Sequence, residues 1–302
     1  MRLRRSCLAV PGSSPKMLAK AAALPADMVF LDLEDAVAPL EKNDATRQNV
    51  VDALTGLQWT APTRVVRVNG VDTRWCFRDI LSIVQGARDS LHCIMLPKVQ
   101  GPGHVAFAHH LLTQLEAELG MHSRIGLEIQ IESARGAENL PAIADASDRI
   151  ETIIFGPGDY AADLGIPQLS VGGVDELYPG DQWHHILSRI VITARARGLQ
   201  AIDGPYAAIR DLDGFRTVAE RSARLGCDGK WALHPEQIDV LNEVYRPTQE
   251  QYDRAEALLE AYRQATEGDR RGAVMWEGEM IDEASRKMAE QVAARGRAAG
   301  MA

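Results

Sequence analysis

Short apolar runs rich in Val, Ile and Leu alternate with longer helical patterns along almost the whole chain. The runs are Cys7–Pro11, Met28–Leu33, Arg64–Asn69, Cys93–Val99, Ile125–Glu132, Thr152–Gly156, Gln200–Gly204 and Lys230–His234. Helical patterns fall at Lys42–Leu54, Trp75–Ala87, Val105–Leu119, Gly136–Ala146, Trp183–Arg197 and Leu212–Leu225. Parallel strands need a crossover between them and are covered on both faces, so this alternation points to βαβ units. Eight of them predict an α/β fold of the (β/α)8 TIM-barrel type. A doubly wound open sheet is the competing architecture. Against it, the first turn reads VPGSSPKM and lacks the G-x-G-x-x-G run of a dinucleotide fold.

A length of 302 residues suits one such barrel. After the eighth run the pattern changes. Two polar amphipathic segments, Gln249–Ala265 and Ala284–Ala299, flank a stretch from Glu267 to Met280 rich in Gly and charge. We therefore expect a barrel over residues 1–245 and a C-terminal helical lid extension over 246–302. The plainer alternative is a solvated helix that thickens the wall.

The net charge of −9 argues against nucleic-acid and membrane-surface partners, which are polyanions. It does not exclude a small anionic substrate in a local basic pocket. Cys7, Cys76, Cys93 and Cys227 are scattered and form no CxxC pair, which favours reduced thiols over disulfides or structural zinc. Pro11 and Gly12 cut the N-terminal apolar run short of a signal peptide, and no run reaches the roughly 18 apolar residues of a membrane span. A cytoplasmic location is expected.

Barrel enzymes act at the C-terminal ends of their strands. Polar residues gather there. Strand two ends in LDLED with Asp32, Glu34 and Asp35, and strand three brings Arg67 and Asn69. Strand five, GLEIQIES, alternates strictly, so Glu128, Gln130 and Glu132 share one face. Strand six ends in GPGD with Asp159. Glu132 and Asp159, one βα unit apart and without clustered His or Cys, favour Mg²⁺ over Zn²⁺. A metal-free acid/base pair is the rival chemistry, and helix capping is the structural alternative, good for Asp159 but poor for Glu132. Arg67 inside a barrel calls for an anion, either a substrate carboxylate or Asp32 and Glu34. His234 could meet substrate or be structural. His109, His110, His184 and His185 lack metal spacing. Arg4, Arg5, Lys16 and Lys20 could meet phosphate or simply be solvated.

These stretches in this order resemble the citrate-lyase-β-like CoA-ester lyases of the HpcH/HpaI aldolase superfamily. The resemblance is carried by RRSCLAVPGSSPKML, VFLDLEDAVAPLEKNDA, VVRVNGVDT, IMLPKV, IQIESARGAENL, FGPGDYAADLG, LGCDGKWALHPEQI and GEMIDEASRKMAE, nearly the whole chain. AIDGP, GKWALHP and the C-terminal MID motif point to the malyl-CoA branch.

The resemblance implies a barrel with a lid, assembled as a homotrimer or homohexamer. It implies Mg²⁺, with Mn²⁺ as a substitute, on Glu132 and Asp159, and a CoA thioester as substrate with glyoxylate or another 2-oxo acid. Arg67 matches the arginine that meets glyoxylate. Ile131, Gly158, Leu233, His234 and Lys20 match substrate or CoA contacts, with Asp32 and Glu34 in support. Asp282 matches a lid acid/base that enters a neighbouring subunit's site. Two departures stand out: Ser14 replaces an arginine often found near CoA, and the Gln168–Gln182 loop is short. The implied reaction is reversible cleavage of malyl-CoA or β-methylmalyl-CoA. Malate synthase, thioesterase, citramalyl-CoA lyase and non-catalytic subunit readings remain open here.

Overall fold

All eight apolar runs become strands, and the strands close on themselves. They are β1 (Ser6–Pro11), β2 (Met28–Asp32), β3 (Thr63–Arg67), β4 (Cys93–Leu96), β5 (Gly126–Ile131), β6 (Ile150–Phe155), β7 (Gln200–Asp203) and β8 (Gly229–Ala232). The computed structural model describes residues 2–175, 177–268 and 272–302. Each strand pairs in parallel with the next, and β8 returns to β1 through Ser6↔Lys230 and Cys7↔Trp231. The expected (β/α)8 barrel is the fold.

Around the strands lie α1 (Pro15–Ala22), α2 (Asp44–Gly56), α3 (Cys76–Ala87), α4 (Pro102–Glu118), α5 (Ala134–Glu138), α6 (Leu140–Ala144), α7 (Pro157–Leu164), α8 (His184–Arg195), α9 (Leu212–Leu225) and α10 (Glu236–Val244). Helices α1 and α7 follow strand-end turns that the periodicity did not reveal. Ser14, the departure noted above, caps α1 by accepting from Met17 N, with Pro15 beside it in the first helical turn. The helix expected over 136–146 divides at Asn139, because Pro141 has no N–H to continue the ladder and begins a new helix instead. β4 stops at Leu96, two residues before Lys98 turns left-handed at φ 54°.

Period-two alternation turns Cys7, Met28, Phe30, Val65, Cys93, Met95, Ile154, Ile202 and Trp231 into one interior cluster. Towards the N-terminal ends of the strands, Arg4 lies buried across the bore. Its Nε donates to Glu128 Oε1 at 2.8 Å, Nη1 to Gln200 Oε1 at 2.6 Å and Nη2 to Glu151 Oε2 at 2.6 Å. Glu128 therefore belongs to a deep hydrogen-bond network far from the C-terminal strand ends.

The chain divides into two compact units, Met1–Asn242 and Glu243–Ala302. The second unit holds α11 (Gln249–Arg263), a hairpin of β9 (Val274–Trp276) and β10 (Glu279–Ile281), and α12 (Glu283–Ala298). Ala255, Ala289 and Ala293 form the α11–α12 seam. The two helices approach so closely that a Cβ on Gly296 would stand 2.2 Å from the Tyr252 ring. The stretch expected as a loop contains the hairpin, and residues 269–271 of it lie outside the described residues. No helix among the described residues is long and apolar enough to cross a membrane.

Candidate active site

The register sets the site's first pair. Asp32 and Arg67 are direct partners across β2 and β3. Arg67 Nε reaches Asp32 Oδ1 at 2.7 Å and Nη2 reaches Oδ2 at 2.6 Å, a two-pronged pair that fixes the guanidinium plane. Its remaining nitrogen, Nη1, has only long contacts, 3.3 Å to Glu34 and 3.5 Å to Gln130. The group stacks over Trp231 at 5.1 Å and Phe30 at 5.8 Å. Arg67 is thus a buried cation with one loosely held arm. Both carboxylates proposed for it from sequence pair with it, Asp32 closely and Glu34 through Nη1 at 3.3 Å.

Glu132 follows β5 directly, and the alternation carries it to the same side as Gln130. Lys98 N donates to its Oε1 at 2.6 Å and Gln130 Nε2 to its Oε2 at 2.7 Å. Burial pushes the carboxyl up to about 8, the negative charge of Asp159 pushes the same way, and Arg67 and the Lys98 amide oppose both. Asp159 lies in the first turn of α7, half-exposed, where the helix N-terminus favours negative charge. Gly156 makes the approach of β6 to Glu132 feasible, since a Cβ there would meet Glu132 Cβ and Oε2 at 2.5 Å.

Lys98 links these groups. Its Nζ lies 2.5 Å from Glu34 Oε1, 3.1 Å from Asp35 Oδ1 and 3.8 Å from Asp159 Oδ2. Burial raises the Glu34 carboxyl to about 7 against the pull of Arg67. Asp32, Glu34, Asp35, Glu132 and Asp159 thus converge on Arg67 and Lys98, a mouth in which carboxylates outnumber these cations. A crowded all-oxygen set of this kind suits a hard divalent ion that keeps open positions. Among the described residues, no group of three or more His, Cys, Asp or Glu side chains is arranged to hold an ion.

The other expected residues divide. Leu233 and His234 follow β8 at the same end of the barrel, their N–H groups donating to Gln237 Oε1 at 2.7 and 3.3 Å. Gly158 shares the first turn of α7 with Asp159, and a Cβ there would meet Val171 at 3.3 Å. Ile131 is fully buried, and its carbonyl accepts from Gly156 N at 2.9 Å. Lys20 is exposed in the last turn of α1 and makes no contact with the carboxylate cluster among the described residues. Asp282, in the second unit, caps α12 by accepting from Ala284 N and Ser285 N. Asn69 supports the loops, donating to Leu33 O and Asp79 and accepting from Lys42. Sequence reasoning missed Lys98 and Gly156; Pro97 after a strand was the one available sign of a break before Lys98.

Comparison with known proteins gives one picture. The HpcH/HpaI aldolase/citrate lyase family model matches residues 5–235. The chain is 37% identical over 300 residues to the L-malyl-CoA/beta-methylmalyl-CoA lyase of Cereibacter sphaeroides, covering 96% of this chain and 94% of that one. A crystal structure of CitE from Mycobacterium tuberculosis in complex with magnesium, acetoacetate and coenzyme A matches at a TM-score of 0.74 and 30% identity, covering 98% of this chain and 97% of that one. A citrate lyase structure from Burkholderia xenovorans, 21% identical, shares the fold at a TM-score of 0.84 over 100% of this chain and 94% of that one.

Proposed function

The chain belongs to the HpcH/HpaI aldolase/citrate lyase family and is a CoA-ester carbon–carbon lyase, and from that premise we propose a substrate. It cleaves (3S)-malyl-CoA reversibly to acetyl-CoA and glyoxylate, with β-methylmalyl-CoA, giving propionyl-CoA and glyoxylate, as a second substrate. The observation that carries this reading is the juxtaposition of the Glu132–Asp159 pair with the loosely held Nη1 of Arg67. Mg²⁺ bound on Glu132 and Asp159 supplies Lewis acidity for the oxygen that becomes the aldehyde in cleavage.

The chain's own residues do the rest. Arg67, fixed by Asp32, offers Nη1 to the oxygen that is charged as the malyl alkoxide before the C–C bond breaks and regains that charge when glyoxylate is attacked in synthesis, with no reorganisation needed at that moment. The turns at Gly158 and at Leu233–His234 flank the thioester, and Lys20 meets the distal phosphates of CoA. Asp282 acts as acid and base at the acyl α-carbon, returning a proton to the enolate in cleavage and removing it in synthesis; in cleavage the hydroxyl proton leaves to water, and water restores the proton on Asp282 between turnovers. It does so from the lid of a neighbouring subunit in a homotrimer or homohexamer, where exclusion of water strengthens a weak base.

The test is an assay with and without added Mg²⁺, pairing acetyl-CoA or propionyl-CoA with glyoxylate or pyruvate. Glyoxylate with acetyl-CoA is expected to give the malyl thioester without free CoA. Preferential use of pyruvate would move the substrate to citramalyl-CoA, and stoichiometric free CoA would make the enzyme a synthase.

A further inference from the structure

One residue that the sequence reading passed over touches four of the five carboxylates: Lys98 meets Glu34, Asp35, Glu132 and Asp159. Lys98 holds a left-handed backbone, φ 54°, which costs free energy for any residue with a Cβ. That conformation turns its N–H onto Glu132 Oε1 at 2.6 Å while its ammonium stands 2.5 Å from Glu34 Oε1 and 3.1 Å from Asp35 Oδ1. A strained backbone kept beside a site is a pointer to function.

The charge balance says what the function is. A divalent ion that took most of the carboxylates gathered here would have no position left for a chelating substrate. Five carboxylates converge here, Asp32, Glu34, Asp35, Glu132 and Asp159. Yet among the described residues no three of them form an ion-holding group. Their contacts divide them. Arg67 engages both oxygens of Asp32, and Lys98 engages Glu34 and Asp35.

We propose that Lys98 is a positioning residue that withholds Glu34 and Asp35 from the metal ion, confining it to Glu132 and Asp159 and keeping positions open for substrate. The inference rests on the metal reading given above. Lys98 acts through other groups and touches neither bond that breaks nor bond that forms. Its amide aims one ligand; its ammonium holds two competitors at 2.5 and 3.1 Å, closer than the 3.8 Å at which it stands from the ligand Asp159.

Mn²⁺ is the probe. Free Mn²⁺ is measured by its spin-resonance signal, and exchangeable water on the bound ion by proton relaxation. Lys98→Met is expected to bind Mn²⁺ about tenfold tighter, the effect of removing a unit charge near a divalent ion in a partly solvated site. Its bound ion is expected to carry fewer exchangeable waters and to stop responding to added glyoxylate. Adding Glu34→Gln and Asp35→Asn to that variant should restore hydration. Unchanged or weaker Mn²⁺ binding with unchanged hydration would overturn the proposal.

A companion variant, Glu34→Gln with Asp35→Asn and Lys98 retained, does not depend on Lys98→Met folding. Loss of two nearby negative charges weakens Mn²⁺ binding whether or not they ligate, so hydration is the readout: the bound ion should keep the exchangeable waters of the parent protein, because both carboxylates are already withheld. A gain of exchangeable water there means that they ligate the ion and sinks the idea. Absence of Mn²⁺ binding by the parent protein removes the metal reading itself, and this inference with it.

Discussion

A Cβ at position 156 would stand 2.5 Å from both Glu132 Cβ and Glu132 Oε2, so Gly156 and Glu132 share a space that admits no side chain. Gly156→Ala must therefore push Glu132 off the Lys98 amide or shift β6. Overpacking of this kind costs about 1–3 kcal/mol in stability. The larger effect falls on the site, where misplacement by about 1 Å can cost 10²-fold in kcat/KM. We expect a folded barrel by circular dichroism and a loss of about that size. Wild-type activity in a folded Gly156→Ala protein would show that the position of Glu132 is not critical.

The opposite end of the barrel gives the complementary outcome. Arg4 is buried against Glu128 and Glu151, at 2.8 and 2.6 Å. Arg4→Met leaves Glu128 in the bore without its cation, and breaking a buried pair costs about 3–5 kcal/mol. Urea denaturation should show that loss. Activity per folded molecule should be unchanged, because the network lies at the far end from the strand-end carboxylates. A drop in kcat with stability intact would contradict the separation of scaffold from chemistry.

Much of this was readable from the residues, for physical reasons that also mark where reading stopped. Strands buried on both faces must be apolar throughout, so MVFLD and CIML declare themselves. Strict alternation put Glu132 on the face of Gln130, and its nearness to Asp159 followed from barrel topology. Lys98 was opaque because its role depends on a left-handed backbone and an amide N–H, which no side-chain pattern encodes. The β9–β10 hairpin was legible in principle: Glu277 and Gly278 both take positive φ, 49° and 82°, between two apolar-flanked runs. Charge around that turn masked it as a loop. The division at Asn139 was foreshadowed by Pro141, whose effect on a short pattern is easily overridden by its apolar neighbours.

The Glu132 carboxyl sets a pH dependence whose sign can be worked out. Its ordinary value near 4.5 rises to about 8, first through burial and then through Asp159. Between those values the folded metal-free protein keeps a proton that the unfolded chain has released. Its stability therefore falls as pH rises through that window and levels off above about 8. A divalent ion needs the carboxylate, so its affinity should climb about tenfold per pH unit up to the same point, releasing one proton per ion below it. Calorimetric titration with Mg²⁺ in two buffers of different ionisation enthalpy reads that proton. Affinity independent of pH, with no proton release, would mean that Glu132 is already ionised or is not a ligand.

Asp282 carries two separable roles, and side-chain chemistry tells them apart. It caps α12, its Oδ1 accepting from Ala284 N at 2.9 Å and Ser285 N at 3.1 Å. Asn caps a helix about as well as Asp, whereas Ala forfeits roughly 1 kcal/mol. Asp282→Asn should therefore keep the thermal stability of the parent protein, and Asp282→Ala should lower it slightly. If the carboxylate moves a proton at the acyl α-carbon, both variants lose about 10²–10⁴-fold in turnover, the usual worth of general acid–base catalysis. Both should also fail to wash deuterium from D₂O into acetyl-CoA in the presence of Mg²⁺. Loss of activity in Asp282→Ala alone would assign the residue to the helix cap and leave the proton to another group.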